Sequence, residues 1–315
     1  MTGLNVGHVG IAGEVRCIVK REDGSVKEDT GFQKNLILNQ GLDFFGGDKG
    51  VNIFASCVIG SGNTAPTINQ TQLVSFVALV NGIQHSAEYA YSATGDNLYK
   101  SNKVYKYSFA GLNNVNISEV GLASQGSSSA NYYLCTRALI RDIAGQPTAI
   151  TILTGEVLEV YYKVWRVISV LDTSYVVNML DGKGGSKPYN VVVRPFDVGK
   201  VGWDTTGDIA AINTINRISS GELSVITSEP ALTEDARPTI IADAYVPSSY
   251  KRRTSMTFSV SQANHNIRVI FSLNKFYRFQ FRFGSVLDDS PIPKTSNETL
   301  TLPLEFSWGR YEGAL

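Results

Sequence analysis

Histidine and cysteine are scarce, with three of each in 315 residues. Cys17, Cys57 and Cys135 are odd in number, lie far apart and sit among apolar or small neighbours. That is the setting of buried, reduced thiols rather than of disulfides, and it fits folding in a reducing cytosol. A zinc centre needs Cys or His paired at short spacing, which no segment supplies. Nucleophilic catalysis by Ser-His or Cys-His needs a base beside the nucleophile, yet His8, His85 and His265 fall in no nucleophile motif. They read as ordinary surface histidines. No run reaches the roughly 20 apolar residues of a spanning helix, and the amino-terminal stretch has no basic segment followed by a long apolar one. Neither a signal peptide nor membrane insertion is expected.

Charge is also in short supply. Lys and Arg number 28 and so do Asp and Glu, so the net charge is 28 − 28 = 0, and only 18% of residues are charged, against roughly 25% in an ordinary soluble chain. Nothing in this balance favours a nucleic-acid backbone or an anionic membrane. The one locally basic stretch is Lys251-Arg252-Arg253 with the later Lys275, Arg278 and Arg282, interleaved with aromatics. Tyr277, Phe279, Phe281 and Phe283 alternate strictly with Arg278, Gln280 and Arg282, which puts the aromatics on a core face of a strand and the basic residues on a solvated or partner-facing one. Nucleic acid is therefore not expected as a partner. Gly60-Ser61-Gly62-Asn63-Thr64 lacks the Lys-Ser/Thr and following helix of a P-loop and reads as a turn. Asp288-Asp289 lacks the alternating oxygen ligands of a calcium loop. No catalytic, cofactor-binding or metal-binding residue is assigned, and no enzyme activity or cofactor is expected.

Gly, Ser, Thr, Asn, Val and Tyr are plentiful, the residues of strands and tight turns. Leu158, Val160, Tyr162 and Val164 share one strand face. Leu300, Leu302, Leu304, Phe306 and Trp308 share another, and Pro303 in that run predicts a sheet edge or a bulge, because proline donates no ladder hydrogen bond. Turns are expected at Glu22-Asp23-Gly24-Ser25, Gly46-Gly47-Asp48-Lys49-Gly50, Gly126-Ser127-Ser128-Ser129 and Asp181-Gly182-Lys183-Gly184-Gly185. One helix is expected within Asn35–Phe45, where Leu38, Leu42 and Phe45 fall near helical spacing before Gly46-Gly47, although Gly41 disfavours it.

Internal repetition organises the rest. Ile59, Ser61, Gly62 and Leu73 recur in order as Ile218, Ser220, Gly221 and Leu232. Further on, Tyr107-Ser108-Phe109 answers Phe258-Ser259-Val260, Asn116-Ile117 answers Asn266-Ile267, and Pro147 through Leu158-Glu159-Val160 answers Pro293 through Leu304-Glu305-Phe306. The interval from Ile117 to Arg137 exceeds that from Ile267 to Arg282 by five residues, 20 against 15. The reading is an all-β, mainly antiparallel chain of two tandem related β-sandwich-like domains, 1–170 and 171–315, with at most one short helix.

Several motifs resemble those of bacteriophage tail-associated virion structural proteins. They are Lys34-Asn35-Leu36-Ile37 followed by Gly41-Leu42-Asp43, Ile59 through Thr67, Asn116 through Leu122, Thr136 through Ile140, and Gly145 through Leu153 with Gly155 through Val160. The similarity covers residues 13 to 165 and reaches the second half only through the repeat. It implies a structural component of a phage tail, located in the virion after synthesis in the bacterial host cytoplasm. Such a chain works by assembly at the tail tip, baseplate or fibre-attachment region, with other tail proteins and its own copies as partners. The alternative is a receptor- or carbohydrate-binding tail fibre protein, for which Tyr89, Tyr91 and Tyr99 are candidate contacts and a host surface receptor the partner. The motif residues have structural readings: Gly62 and Gly121 allow tight backbone approach, Pro147 makes a turn, and Glu119 and Arg137 form a cross-strand ion pair.

Overall fold

A computed structural model describes residues 4–46, 55–81, 90–93, 97–124, 131–180, 185–196, 216–273 and 278–315. The first half runs through β1 (Leu4–Lys20), β2 (Val26–Asp29), β3 (Gln33–Lys34), β4 (Leu36–Ile37), helix α1 (Asn39–Gly46), β5 (Ser56–Gly60), β6 (Phe76–Asn81) and β7 (Ala90–Ala93). It continues with β8 (Leu98–Phe109), β9 (Val115–Ile117), β10 (Glu119–Ser124), β11 (Tyr133–Leu134), β12 (Thr136–Leu139), β13 (Ile150–Ile152) and β14 (Val157–Ser169). The second half holds β15 (Thr173–Leu180), β16 (Ser186–Pro195), β17 (Asn216–Ser219), β18 (Thr239–Ala242) and β19 (Lys251–Phe258). Its last strands are β20 (Asn266–Ile267), β21 (Val269–Leu273), β22 (Arg278–Ser285), β23 (Ile292–Pro293) and β24 (Leu300–Arg310). The fold is all-β, with one helix among the described residues.

A nine-stranded sheet in the order β18-β19-β24-β1-β14-β8-β7, with β2 and β3 also on β1, carries strands of both halves. Alternation explains its buried face: Leu158, Val160, Tyr162 and Val164 of β14 are buried, and so are Leu300 to Trp308 at every second residue of β24. A sheet of β4-β12-β10-β5-β6 lies over the β1-β14-β8 part, joined across the core where the Tyr162 hydroxyl donates to Thr136 Oγ1. A sheet of β15-β16-β22-β21-β17 lies over the β19-β24 part, where the Phe279 and Phe306 rings meet with centroids 6.0 Å apart. Between the two parts, β1 and β24 pair in parallel from Leu4↔Leu304 to Ile11↔Arg310. A bulge between Asn5 and Gly7 shifts the parity of β1, so that Leu4 and Val9 both reach the core.

Several expectations need correction. β24 is central rather than at an edge. Its pairing with β1 begins only at Leu304, so Pro303 faces β19 alone, where it lies opposite Ser255. The helix starts at Asn39 rather than Asn35, because the Asn35 N–H donates to Gly13 O and Leu36 and Ile37 pair with β12. Gly41 suits the helix after all: a Cβ there would stand 2.2 Å from Cys135 O, and this close backbone approach outweighs glycine's penalty of about 1 kcal/mol.

The strand pairings of the two halves follow one order. Ile59 pairs Val120, which pairs Ala138; Ile218 pairs Ile270, which pairs Phe281. Likewise β9 pairs β13 as β20 pairs β23, and β8 pairs β14 as β19 pairs β24. Two aligned blocks are off register. Phe109 faces Leu158 as Phe258 faces Leu300, so Phe258 answers Phe109 rather than Tyr107, and Leu300 rather than Leu304 answers Leu158. Arg137, beside Ala138, corresponds to Gln280 beside Phe281, not to Arg282. Alternating sequences match one another equally well at any even offset, which is why composition misplaced these blocks.

Candidate functional site

Glu119 and Arg137 form the expected ion pair. The register sets Glu119 opposite Leu139, which puts Arg137 diagonally across on the same face, Nε to Oε2 2.8 Å, with both side chains fully buried. The carboxylate also accepts from the backbone: Gly62 N at 3.0 Å and Ser75 N at 2.8 Å on Oε1, and Val74 N at 3.2 Å on Oε2. Arg137 Nη1 donates to Gln70 Oε1 at 3.0 Å. Four donors on one carboxylate satisfy a buried charge that would otherwise be prohibitive. The result is a clamp. It holds residues 61–75 against the outer face of β10 and β12, above a small second core of Leu38, Val58, Leu73, Ala123, Tyr132 and Leu134. Gly121 is required beneath it, since a Cβ would lie 2.2 Å from Thr136 O. Sealed from solvent, this network can position backbone but cannot meet a solute.

The other chemically active side chains are dispersed. His8 Nδ1 lies 3.1 Å from Ser307 Oγ, and burial lowers its pKa. His265 Nε2 lies 3.1 Å from Glu234 Oε2 at a turn. His85 and Tyr89 lie outside the described residues. The three thiols are free and buried, and burial pushes Cys17 and Cys135 up to about 12, far from a reactive thiolate. No group of three or more His, Cys, Asp or Glu that could hold a metal ion occurs among the described residues. No helix among them is long and apolar enough to cross a membrane.

The expectation of a solvated or partner-facing surface for the basic stretch needs correction only in part: Lys251 and Arg253 are exposed, whereas Arg252 and Arg282 are drawn in. Arg252 is buried and donates to Asp243 O and Gly46 O. Lys251 and Arg253 pair with Glu305, and Arg282 pairs with Glu222 and Asp289. Gln280, on the nominally solvated face of β22, is fully buried; it accepts from Ser224 N at 2.8 Å and donates to Ser224 O at 2.9 Å. The local pattern could not reveal that residues near Ser224 cover this face. Lys275 and Tyr277 lie outside the described residues. Tyr99 is buried, so it is not available as a surface contact, while Tyr91 falls on edge strand β7.

Two other sheet edges are chemically bare. β15 (TSYVVNML) and β18 (TIIA) contain no charged residue and no proline, the devices that commonly blunt an edge. Val176 is 58% exposed, Leu180 68% and Ile241 65%. Beside β15 the sandwich gapes into a groove of about 650 Å³, walled by Met179, Leu180, Tyr189, Ile292 and Leu300, with Lys187, Lys294 and Glu298. A narrower cleft continues along Val177, Asn178 and Met179 towards Leu4 and Leu302. Lys294 is only 4% exposed; its ammonium donates to Asn264 Oδ1 at 3.0 Å and Thr295 O at 3.3 Å, and burial lowers its pKa. Sequence reading missed this groove, since its walls come from strands more than 100 residues apart. Comparison with family models, curated proteins and solved structures finds no match.

Proposed function

We propose that this chain is a structural component of a bacteriophage tail, acting by protein–protein assembly rather than catalysis at the tail tip, baseplate or fibre-attachment region. The observation that carries the reading furthest is the pair of uncharged edges, β15 and β18, with Val176, Leu180 and Ile241 exposed. Such edges template strand addition in monomers, and an assembly covers them. A neutral chain low in charge suits close packing among copies. The five motifs that carry the resemblance support it from the sequence side. Within this reading 1–170 and 171–315 are diverged copies of one β domain, supported by their common order of strand pairing.

Imaging of the intact particle tests the assignment: density for this chain in the tail, in contact with other tail proteins, is the expected result. A chain absent from the purified particle rejects it. Glycan-array binding by the isolated chain, without incorporation at an assembly interface, would replace it by the receptor-binding alternative.

A further inference from the structure

We propose that β18 pairs with the β18 of a second copy of this chain, antiparallel across a two-fold axis at Ile240, so that Arg237 of each copy faces Asp243 of the other. This deepens the assembly reading by naming one partner, and it rests on that reading only for the particle that uses the dimer.

The main chain sets the phase. β18 runs antiparallel to β19, from Thr239↔Thr257 to Ala242↔Thr254, and ends the nine-stranded sheet among the described residues. The Asp243 N–H donates to Arg253 O at 2.9 Å, and the Gln262 amide bridges Arg237 O and Ser259 N on the same side. Residues of odd number therefore turn their N–H and C=O towards β19. Those of Ile240 and Ala242 point out of the sheet, as does the C=O of Pro238. An added strand must join these outward groups to one another. Centred on Ile240, the Ile240 N–H donates to Ile240 O of the other copy and the Ala242 N–H to Pro238 O. Both outward N–H groups are met, and Pro238, which has no N–H, serves as an acceptor only.

Side chains then select a second copy as the occupant. Arg237-Pro238-Thr239-Ile240-Ile241-Ala242-Asp243 carries a cation three residues before Ile240 and an anion three residues after it, so the segment complements itself when antiparallel. Rotation about Ile240 sets Arg237 against Asp243 twice, at the closely spaced positions that share no hydrogen bond. Both are exposed, on the face that carries Ile241. The Arg237 side chain is 78% exposed and lies 3.7 Å from Asp235, a carboxylate that is also 3.9 Å from Arg217. Arg253, across from Asp243 on β19, is held by Glu305 at 2.7 Å. Neighbouring registers of the same phase fit less well: centring on Thr239 sets Asp235 against Asp243, and centring on Ile241 sets Arg237 against Tyr245. On the opposite face, half-buried Ile240 meets its own copy and exposed Ala242 meets Pro238.

The test is sedimentation velocity of the full chain over a concentration series, because one short strand makes a small interface and a weak dimer. A concentration-dependent dimer is expected. Arg237→Asp and Asp243→Arg each set like charges opposite one another and should weaken it about tenfold. An equimolar mixture of these two variants makes every pair across the axis opposite in sign again and should dimerise like the unaltered chain, a recovery that no folding defect produces. In Ile240→Pro the lost N–H points away from β19, so the chain should keep its thermal unfolding transition and be monomeric. A chain that is monomeric throughout, single variants that dimerise undiminished, a mixture that does not recover, or a dimer that survives Ile240→Pro overturns the proposal. So does a strand of a different protein on β18 in the particle. Incorporation into tails is followed separately: a chain that enters tails without dimerising rejects only the β18 pairing, and one that dimerises through β18 but is absent from tails rejects only the assembly reading.

Discussion

Burying Glu119 against Arg137 removes two charges from water, and the clamp holds because the carboxylate takes four donors while Arg137 donates to Glu119 and Gln70. Glu119→Leu or Arg137→Met alone strands the other charge, so each should lower stability by about 3–5 kcal/mol. The double variant should lose clearly less than the sum, measured by urea unfolding; strict additivity would mean that the pair is not coupled. Glu159 is a contrasting, partly wet carboxylate. Burial pushes its pKa up, but Lys106, Tyr161 and Lys20 outweigh that and hold it below the ordinary glutamate range. A depressed folded pKa contributes stability above the unfolded value and loses it as pH falls through the folded one. Urea midpoints taken from pH 7 down to pH 3 should therefore fall further for the wild type than for Glu159→Gln. Parallel curves would show that the site adds no acid sensitivity.

Between strands, the two halves solve one problem with different chemistry. The segment after β5 is tied down by Glu119 and Arg137; the segment after β17 is tied down by Gln280, whose amide both accepts from and donates to Ser224. One neutral amide replaces an ion pair because it meets a single residue rather than three backbone donors. Strand spacing sets a second constraint at Gly121, which pairs with Val58 on β5 while Thr136 O crowds its other side. Gly121→Ala should cost about 1–3 kcal/mol by overpacking, while Gly145→Ala, in an open turn at φ 80°, should cost less and only through backbone strain. Thermal unfolding of both variants checks the order, and a harmless Gly121→Ala would show that β5, β10 and β12 can spread.

Across the whole molecule, the nine-stranded sheet makes each half depend on the other. The parallel pairing of β1 with β24 fills what would otherwise be a sheet edge running through Trp308, and the Trp308 indole also donates to Leu42 O of the helix at 2.8 Å. Tyr245 stacks on that indole with centroids 5.7 Å apart and donates to Asp43. Residues 171–315 expressed alone would keep Tyr245 but lose β1, Leu42 and Asp43, leaving β24 as an open sheet edge beside Trp308. We expect that fragment to aggregate or to lack a sigmoidal unfolding transition, as read by circular dichroism and gel filtration. A soluble fragment with a sharp transition would establish the second half as independent.

Period-two alternation was enough to assign the all-β class and the buried faces of β14, β22 and β24, and the near-helical spacing of Leu38, Leu42 and Phe45 was enough to assign one helix ended by glycine, because strand and helix periods are local properties of the chain. The ion pair of Glu119 with Arg137 was also legible, as two opposite charges in neighbouring strand motifs. Register was not: an alternating pattern fits at every even shift, so only the paired backbones could place Phe258 opposite Leu300. Nor could local sequence show that β24 is central, that Gln280 and Arg252 are covered, or that β15 borders an open groove. Those features depend on which distant segments pack together, and that is decided by contacts between residues hundreds of positions apart, such as Leu4 with Leu304.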